Sequence, residues 1–308
     1  MGKWTGKKVA VLHGGRSSER EVSLRTGAGC AEALRQKGHD AVLLDVDLEV
    51  AARLRELSAD VAFVALHGRF GEDGAIQGLL ESMGIPYTGS GVLASALGMD
   101  KVMSKLLFRE HGLHVVAYRA YPASRADAVA AADLPFGLPV VVKPGGEGSS
   151  VGVHIVKEHA QLREACRDAA RYAGGIIVEK YVKGMEVDVA VLEGRALGAI
   201  EIVPSREFYD YVAKYTPGMT QYFYPARLPP EHLHRLCDAA ERAHAALGCD
   251  GVTRVDFIVT PEGTPFILEV NTMPGMTATS LVPKIAAGNG IAFPDLCERI
   301  LEGASLKA

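Results

Sequence analysis

The sequence has little from which to build a disulfide framework or a zinc site. Its five cysteines, Cys30, Cys166, Cys237, Cys249 and Cys297, are scattered, odd in number and form no C-x-x-C pair, so reduced thiols in a cytoplasmic protein are expected. Charge of one sign is equally scarce. The formal net charge is −4, with no block of like charges. That argues against a nucleic-acid partner, whose binders usually carry a basic patch or stripe. The first apolar run, near residues 9–12, ends at Gly14-Gly15, too short for a signal-peptide core or a membrane span. No membrane association is expected. Met1-Gly2 opens as a myristoylation motif would, but Gly6 stands where that motif needs Ser or Thr. Two nucleotide signatures are also missing. Gly14-Gly15-Arg16-Ser17-Ser18 does not follow G-x-G-x-x-G, and no Gly-Lys-Ser/Thr follows the glycine-serine loop at 145–150.

What remains is an ordinary globular composition, 48% hydrophobic and 23% charged over 308 residues, long enough for two or three domains. Apolar runs at 9–12, 41–44 and 61–66 alternate with helical stretches at 18–37, closed by Gly38, and 48–57. That rhythm predicts a doubly wound α/β domain over 1–97. Over 98–183 the pattern becomes α+β, with helices at 101–111 and 160–172 and strands at 115–121, 139–143, 151–156 and 175–181. Over 184–308 the strands lengthen, at 186–192, 196–203, 252–259 and 266–270, and a polar, tyrosine-rich connection runs from 205 to 221. A connection of that length in a compact domain reads as a functional lid or a disordered segment, and the need to shield a reaction from water favours the lid. No long linker separates the domains, so they pack closely, with a site between them.

The most informative stretch is Arg254-Val255-Asp256 followed by Glu269-Val270-Asn271. Strand side chains alternate faces, and a turn centred on Glu262-Gly263 pairs 256 with 269 and 254 with 271. All four polar side chains then meet on one patch. The plainer reading is the solvated face of a hairpin. Against it, the neighbours Val255, Phe257, Ile258, Ile267, Leu268 and Val270 are apolar, and buried charges need partners or a metal. Two carboxylates and an amide oxygen make a hard ligand set suited to Mg2+, and an adjacent Arg suits a transferring phosphoryl group. In the 145–150 loop, glycine amides and serine hydroxyls suit phosphate oxygens, with Lys143 just before it. Glu179-Lys180-Tyr181-Val182, with Glu186, reads equally well as an adenosine edge or as a strand ending on a polar loop.

Several segments are similar to those of one family. The segment 13–23 from His13 to Ser23, Leu66-His67-Gly68-Arg69 with Gly71-Glu72-Asp73-Gly74, Tyr87-Thr88-Gly89-Ser90-Gly91, Met99-Asp100-Lys101, 147–152 and 271–277 resemble the motifs of D-alanine–D-alanine ligases of the ATP-grasp superfamily, in order along nearly the whole chain. The resemblance implies an ATP-grasp fold, ATP as co-substrate and two Mg2+ ions, with Mn2+ a substitute, on Asp256, Glu269 and Asn271. It implies phosphate contacts from Lys101, Lys143 and Lys214, and an adenosine site at Glu179, Lys180, Tyr181, Val182 and Glu186. Glu19 and His67 then lie by the first D-alanine, and Ser280 by the carboxylate of the second. Ser149 and Tyr215 join Glu19 in a network that locks the lid, while Arg254 and the Gly275 N–H stabilise the tetrahedral intermediate. A homodimer is expected by the same analogy. Gly145-Gly146 stands where many relatives carry larger residues, which is expected to loosen that loop, and Tyr181 stands where Trp is common.

Two other functions compete with dipeptide ligation. A D-alanine–D-lactate ligase commonly carries His where this chain has Tyr215, and a non-catalytic nucleotide sensor has no need of Asn271 and Tyr215.

Overall fold

The computed structural model describes residues 2–205 and 218–307. Strands β1 (Lys8–His13), β2 (Asp40–Asp45) and β3 (Val61–Val64) form a parallel sheet in the order β2-β1-β3. The strand β1 is apolar on both faces because both are covered. Val9 and Val11 join the core on the side of α1 (Arg20–Gln36), and Ala10 and Leu12 join that of α2 (Val50–Leu57) and α3 (Ala75–Met83). Helix α1 ends where Gly38 takes φ +86°, a left-handed turn that glycine adopts without a Cβ clash. This is the doubly wound arrangement expected, although helices α3 and α4 (Val92–Met99) were not read from the sequence.

Helix α5 (Lys101–Glu110) leads into an antiparallel sheet of β4 (Tyr118–Tyr121), β5 (Val140–Pro144), β6 (His154–Val156) and β7 (Ile176–Lys180), ordered β4-β7-β5-β6. Helix α6 (His159–Ala169) covers one face, burying Leu162, Ala165 and Cys166 against Val140, Val142 and Val178. Two strands are shorter than expected. Val115 makes only an isolated bridge to Ile267, and the 151–156 run starts late because Ser149, Ser150 and Gly152 have φ of +50°, +58° and +66°, which an extended chain cannot accommodate.

The third sheet is antiparallel, β10-β9-β8-β11-β12, built from β8 (Met185–Leu192), β9 (Arg195–Pro204), β10 (Thr220–Phe223), β11 (Val252–Val259) and β12 (Pro265–Asn271). Helix α7 (Pro230–Ala246) packs Leu236, Ala240 and Ala243 on one face. Helices α8 (Leu281–Gly288) and α9 (Phe293–Glu302) cover the other. One apolar cluster joins this last face to the first sheet: Cys30 and Leu34 of α1 pack with Leu296, Cys297 and Ile300 of α9, and with Ile200 and Ile202 of β9. Each such side chain contributes roughly 1.5–3 kcal/mol when fully buried. Helices α7, α8 and α9, and strand β10, which begins in the last two residues of the expected lid, were not read from the sequence. Among the described residues, no helix is long and apolar enough to cross a membrane.

Candidate active site

The β11–β12 hairpin sets the site. Arg254 pairs with Asn271 and Asp256 with Glu269, the register expected. The route to it differs in one detail. Next to the turn the strands are centred half a residue earlier, on Glu262, with Val259 opposite Pro265 and Thr260 N–H donating to the Thr264 carbonyl at 3.1 Å, and a bulge after Asp256 restores the alignment. The Arg254 guanidinium donates to both oxygens of Asp256, Nε and Nη2 each at 2.7 Å. Its Nε is also 2.9 Å from Asp188 of β8. Burial works against the guanidinium charge, but Asp256 and Asp188 outweigh it and raise the Arg254 pKa. Glu269 lies 2.8 Å from the Lys101 ammonium, and Asn271 Oδ1 accepts the Met273 N–H at 2.9 Å.

The expected metal ligands Asp256, Glu269 and Asn271 therefore share one patch, and their oxygens are now held by cations and a backbone amide. Among the described residues, no group of three His, Cys, Asp or Glu could hold a metal, so the trio rests on two carboxylates and one amide oxygen. Such a set fits Mg2+, which completes its shell with waters and substrate phosphates.

Lys101 opens α5, whose N-cap Asp100 accepts the N–H groups of Val102 and Met103 at 2.9 and 3.0 Å. Its ammonium also donates to the Glu147 carbonyl at 2.7 Å, tying the glycine-serine loop to the helix. Lys143, on β5, is buried, and that burial pushes its pKa down to about 8 despite Glu179 nearby. Glu179, on β7, accepts two ion pairs, from Lys143 at 3.0 Å and Lys105 at 2.9 Å. Burial alone would raise its pKa, but the two ammonium groups prevail and hold it at about 2. Lys101, Lys143 and Glu179 border a cavity of about 580 Å3, lined also by Lys180, Tyr181, Val182 and Glu186, with apolar walls from Ile258 and Leu268.

A second cavity, about 1090 Å3, adjoins it and shares Lys101, Glu147 and Glu269 as wall residues. Glu19, His67, Ser149, Arg254, Asn271, Gly275 and Ser280 all line it. Ser149 donates its hydroxyl to Glu19 at 2.5 Å, joining the glycine-serine loop to the turn before α1. Left-handed backbone at Ser149 and Ser150 costs roughly 1 kcal/mol or more apiece, and strain of this kind gathers at functional sites. Gly145 and Gly146, where the loop was expected to be loose, are both tied by backbone bonds. Gly145 N–H donates to the Gly175 carbonyl at 3.1 Å and Gly146 N–H to Ala173 at 3.0 Å, and a methyl group on Gly145 would overlap the Gly174 carbonyl. His67 lies between Thr26, 3.0 Å from Nε2, and Glu72, 3.3 Å from Nδ1. Ser280 occupies the N-cap position of α8, where its Oγ accepts the Thr277 N–H at 3.0 Å, and a Cβ on Gly275 would stand 3.0 Å from that Oγ.

Lys214 and Tyr215 lie outside the described residues. The sequence reading missed four residues now seen at the site: Lys105, Asp188, Glu72 and Lys284, whose ammonium stands 4.0 Å from the Tyr222 ring centroid. Two of these had a signal. Lys105 follows Lys101 by one helical turn, and Asp188 lies mid-strand on an apolar run, opposite Asp256 across the β8–β11 pair.

Known proteins are similar to the chain along nearly its whole length. The family model described as D-ala D-ala ligase C-terminus matches residues 107–302, and that described as D-ala D-ala ligase N-terminus matches 47–90. The chain is 74% identical to the D-alanine–D-alanine ligase of Anaeromyxobacter sp. strain K, with both chains covered in full. It is 58% identical to that of Geotalea uraniireducens, over 98% of this chain and 96% of the relative. A crystal structure of the D-alanine–D-alanine ligase from Bacillus anthracis superposes with a TM-score of 0.86 at 36% identity. The complex of a D-alanine–D-alanine ligase from that organism with ATP gives 0.85 at 33%. Each comparison covers 96% of this chain and 97% of the other.

Proposed function

Because this chain belongs to the D-alanine–D-alanine ligase family and has its ATP-grasp fold, we propose that it joins two D-alanines with ATP, making D-alanyl-D-alanine for peptidoglycan precursors. The observation that carries the reading is the joint between two cavities. Lysines suited to phosphate face one side, Glu19 and Ser280 line the other, and Arg254 with the oxygen ligands stands where they meet.

In this reading the smaller cavity takes ATP. Glu179, Lys180, Tyr181, Val182 and Glu186 receive the adenosine, and Lys101, Lys143 and Lys214 the phosphates. Asp256, Glu269 and Asn271 hold two Mg2+ ions, which neutralise phosphate charge when bound; Mn2+ suits the same oxygens. The first D-alanine lies with its ammonium at Glu19 and His67 nearby, and its carboxylate attacks the γ-phosphate. Acyl phosphate and ADP result. The amine of the second D-alanine, whose carboxylate is held at Ser280 and whose proton passes to a base or to solvent, then attacks that carbonyl and phosphate leaves. Arg254 and the Gly275 N–H hold the oxyanion, a contribution of about 3 kcal/mol for one such donor. Ser149 and Tyr215, with Glu19, close the lid and keep water from the acyl phosphate. The units fall at 1–97, 98–183 and 184–308, and the enzyme works as a cytoplasmic homodimer.

The test is phosphate release from ATP and Mg2+ with and without D-alanine, with the product identified by mass spectrometry. Release that needs D-alanine and yields the dipeptide supports the proposal. Release triggered instead by another amino or hydroxy acid overturns the substrate assignment, and D-lactate is included for that reason.

A further inference from the structure

Lys105 plays no part in the reaction as described, and it borders neither cavity. Its side chain is fully buried, an environment that excludes lysine unless something holds the charge. Its partner is Glu179 Oε1, at 2.9 Å, the same atom that lies 3.0 Å from Lys143. The ring of Tyr118, paired with Glu179 across β4 and β7, stands 5.9 Å from the Lys105 ammonium. One carboxylate thus lies between two ammonium groups, only one of which reaches the cavity.

The ion pairs on the wall of that cavity give the arrangement its meaning. Lys101 stands against Glu269 and Lys143 against Glu179. Without Lys105, Lys143 alone would face the Glu179 carboxylate at this distance. Lys105 also shares the pull of Glu179, so that Lys143 is left with charge to offer an anion.

We infer that Lys105 is a positioning residue for nucleotide phosphates: it occupies Glu179 from behind, so that Lys143 is not neutralised by the carboxylate beside it. The inference rests on the reading of the smaller cavity as a nucleotide site. Its effect falls on the phosphates and spares the nucleoside, which separates it from a general packing role.

The experiment is calorimetric titration of the full-length protein with Mg2+-ADP and, separately, with adenosine. The wild type, K105M, K105Q and K105R are compared, and the readout is the ratio of the two affinities. K105M is expected to lower the ADP-to-adenosine ratio about tenfold, equivalent to about 1.4 kcal/mol. K105Q, which keeps a polar side chain without the charge, is expected to lower it as far, and it remains informative if K105M alone fails to fold. K105R, which keeps the charge, is expected to hold the ratio within about threefold of wild type. An unchanged ratio in K105M or K105Q, an equal loss for ADP and adenosine, or a ratio that collapses in K105R as well overturns the inference. A wild type that binds neither ligand instead overturns the nucleotide reading of the cavity.

Discussion

Replacing Glu179 by Gln keeps the shape of the side chain and removes the one carboxylate that Lys105 and Lys143 share. Its pKa lies at about 2 in the fold against an ordinary 4.5, and at about 1.36 kcal/mol per pH unit this difference amounts to about 3 kcal/mol. A second route agrees: removing one partner of a buried ion pair costs about 3–5 kcal/mol, because the other charge is stranded. Lys105 is the stranded one, being fully buried and out of reach of the cavity. A depressed carboxylate contributes stability that is complete above its unfolded pKa of 4.5 and disappears as pH falls through about 2. The assay is urea unfolding of wild type and E179Q, followed by circular dichroism at pH 7 and in steps downward. A gap of about 3 kcal/mol is expected at pH 7, shrinking to less than half by pH 3. A gap under about 1 kcal/mol at pH 7, or one that does not shrink in acid, refutes the reasoning.

Other substitutions separate the proposed roles. R254K keeps a positive charge but loses the two-pronged grip on Asp256; kcat for dipeptide formation is expected to fall about 100-fold or more, and a smaller effect removes Arg254 from the oxyanion role. D256N is expected to raise the Mg2+ concentration for half-maximal rate by about tenfold or more, measured by titrating Mg2+ at fixed ATP. E19Q removes the charge that Ser149 supports and is expected to raise KM for the first D-alanine about tenfold, with KM for ATP little moved. Since Lys143 loses its proton as pH rises through about 8, kcat/KM for ATP is expected to decline on that alkaline limb. K143R moves the decline upward, and a limb that stays put assigns it to another group.

The hairpin register could be worked out on paper because strand alternation and a nearby turn leave only one way to align Asp256 with Glu269. Even there, the bulge and the shifted turn offset each other without a trace in the spacing. Contacts between distant segments had no such rule. The Glu19–Ser149 bond spans 130 residues, and only resemblance to a family pointed at it. The Lys105–Glu179 pair joins α5 to β7; the spacing from Lys101 marks the helix face of Lys105, but nothing local names its partner. The 151–156 run was misjudged for a different reason: its apolar alternation is real, but backbone turned left-handed at Ser149 and Ser150 delays the strand. Helix α7 did carry a readable signal, with Leu236, Ala240, Ala243 and Leu247 at helical spacing.

The apolar cluster that unites α1 with α9 also sets a timetable for synthesis. The face of α1 bearing Cys30 and Leu34 is made early, yet the side chains that cover it, Leu296, Cys297 and Ile300, are made only after the strands of all three sheets. A further backbone link waits for Ser305, which pairs with Tyr87 in both directions at 3.2 Å. A nascent chain is therefore expected to hold a parallel sheet with one bare greasy side until α8 and α9 leave the ribosome. Ribosomes stalled before residue 281 should present that side to chaperones, and the released protein carrying α8 and α9 should not.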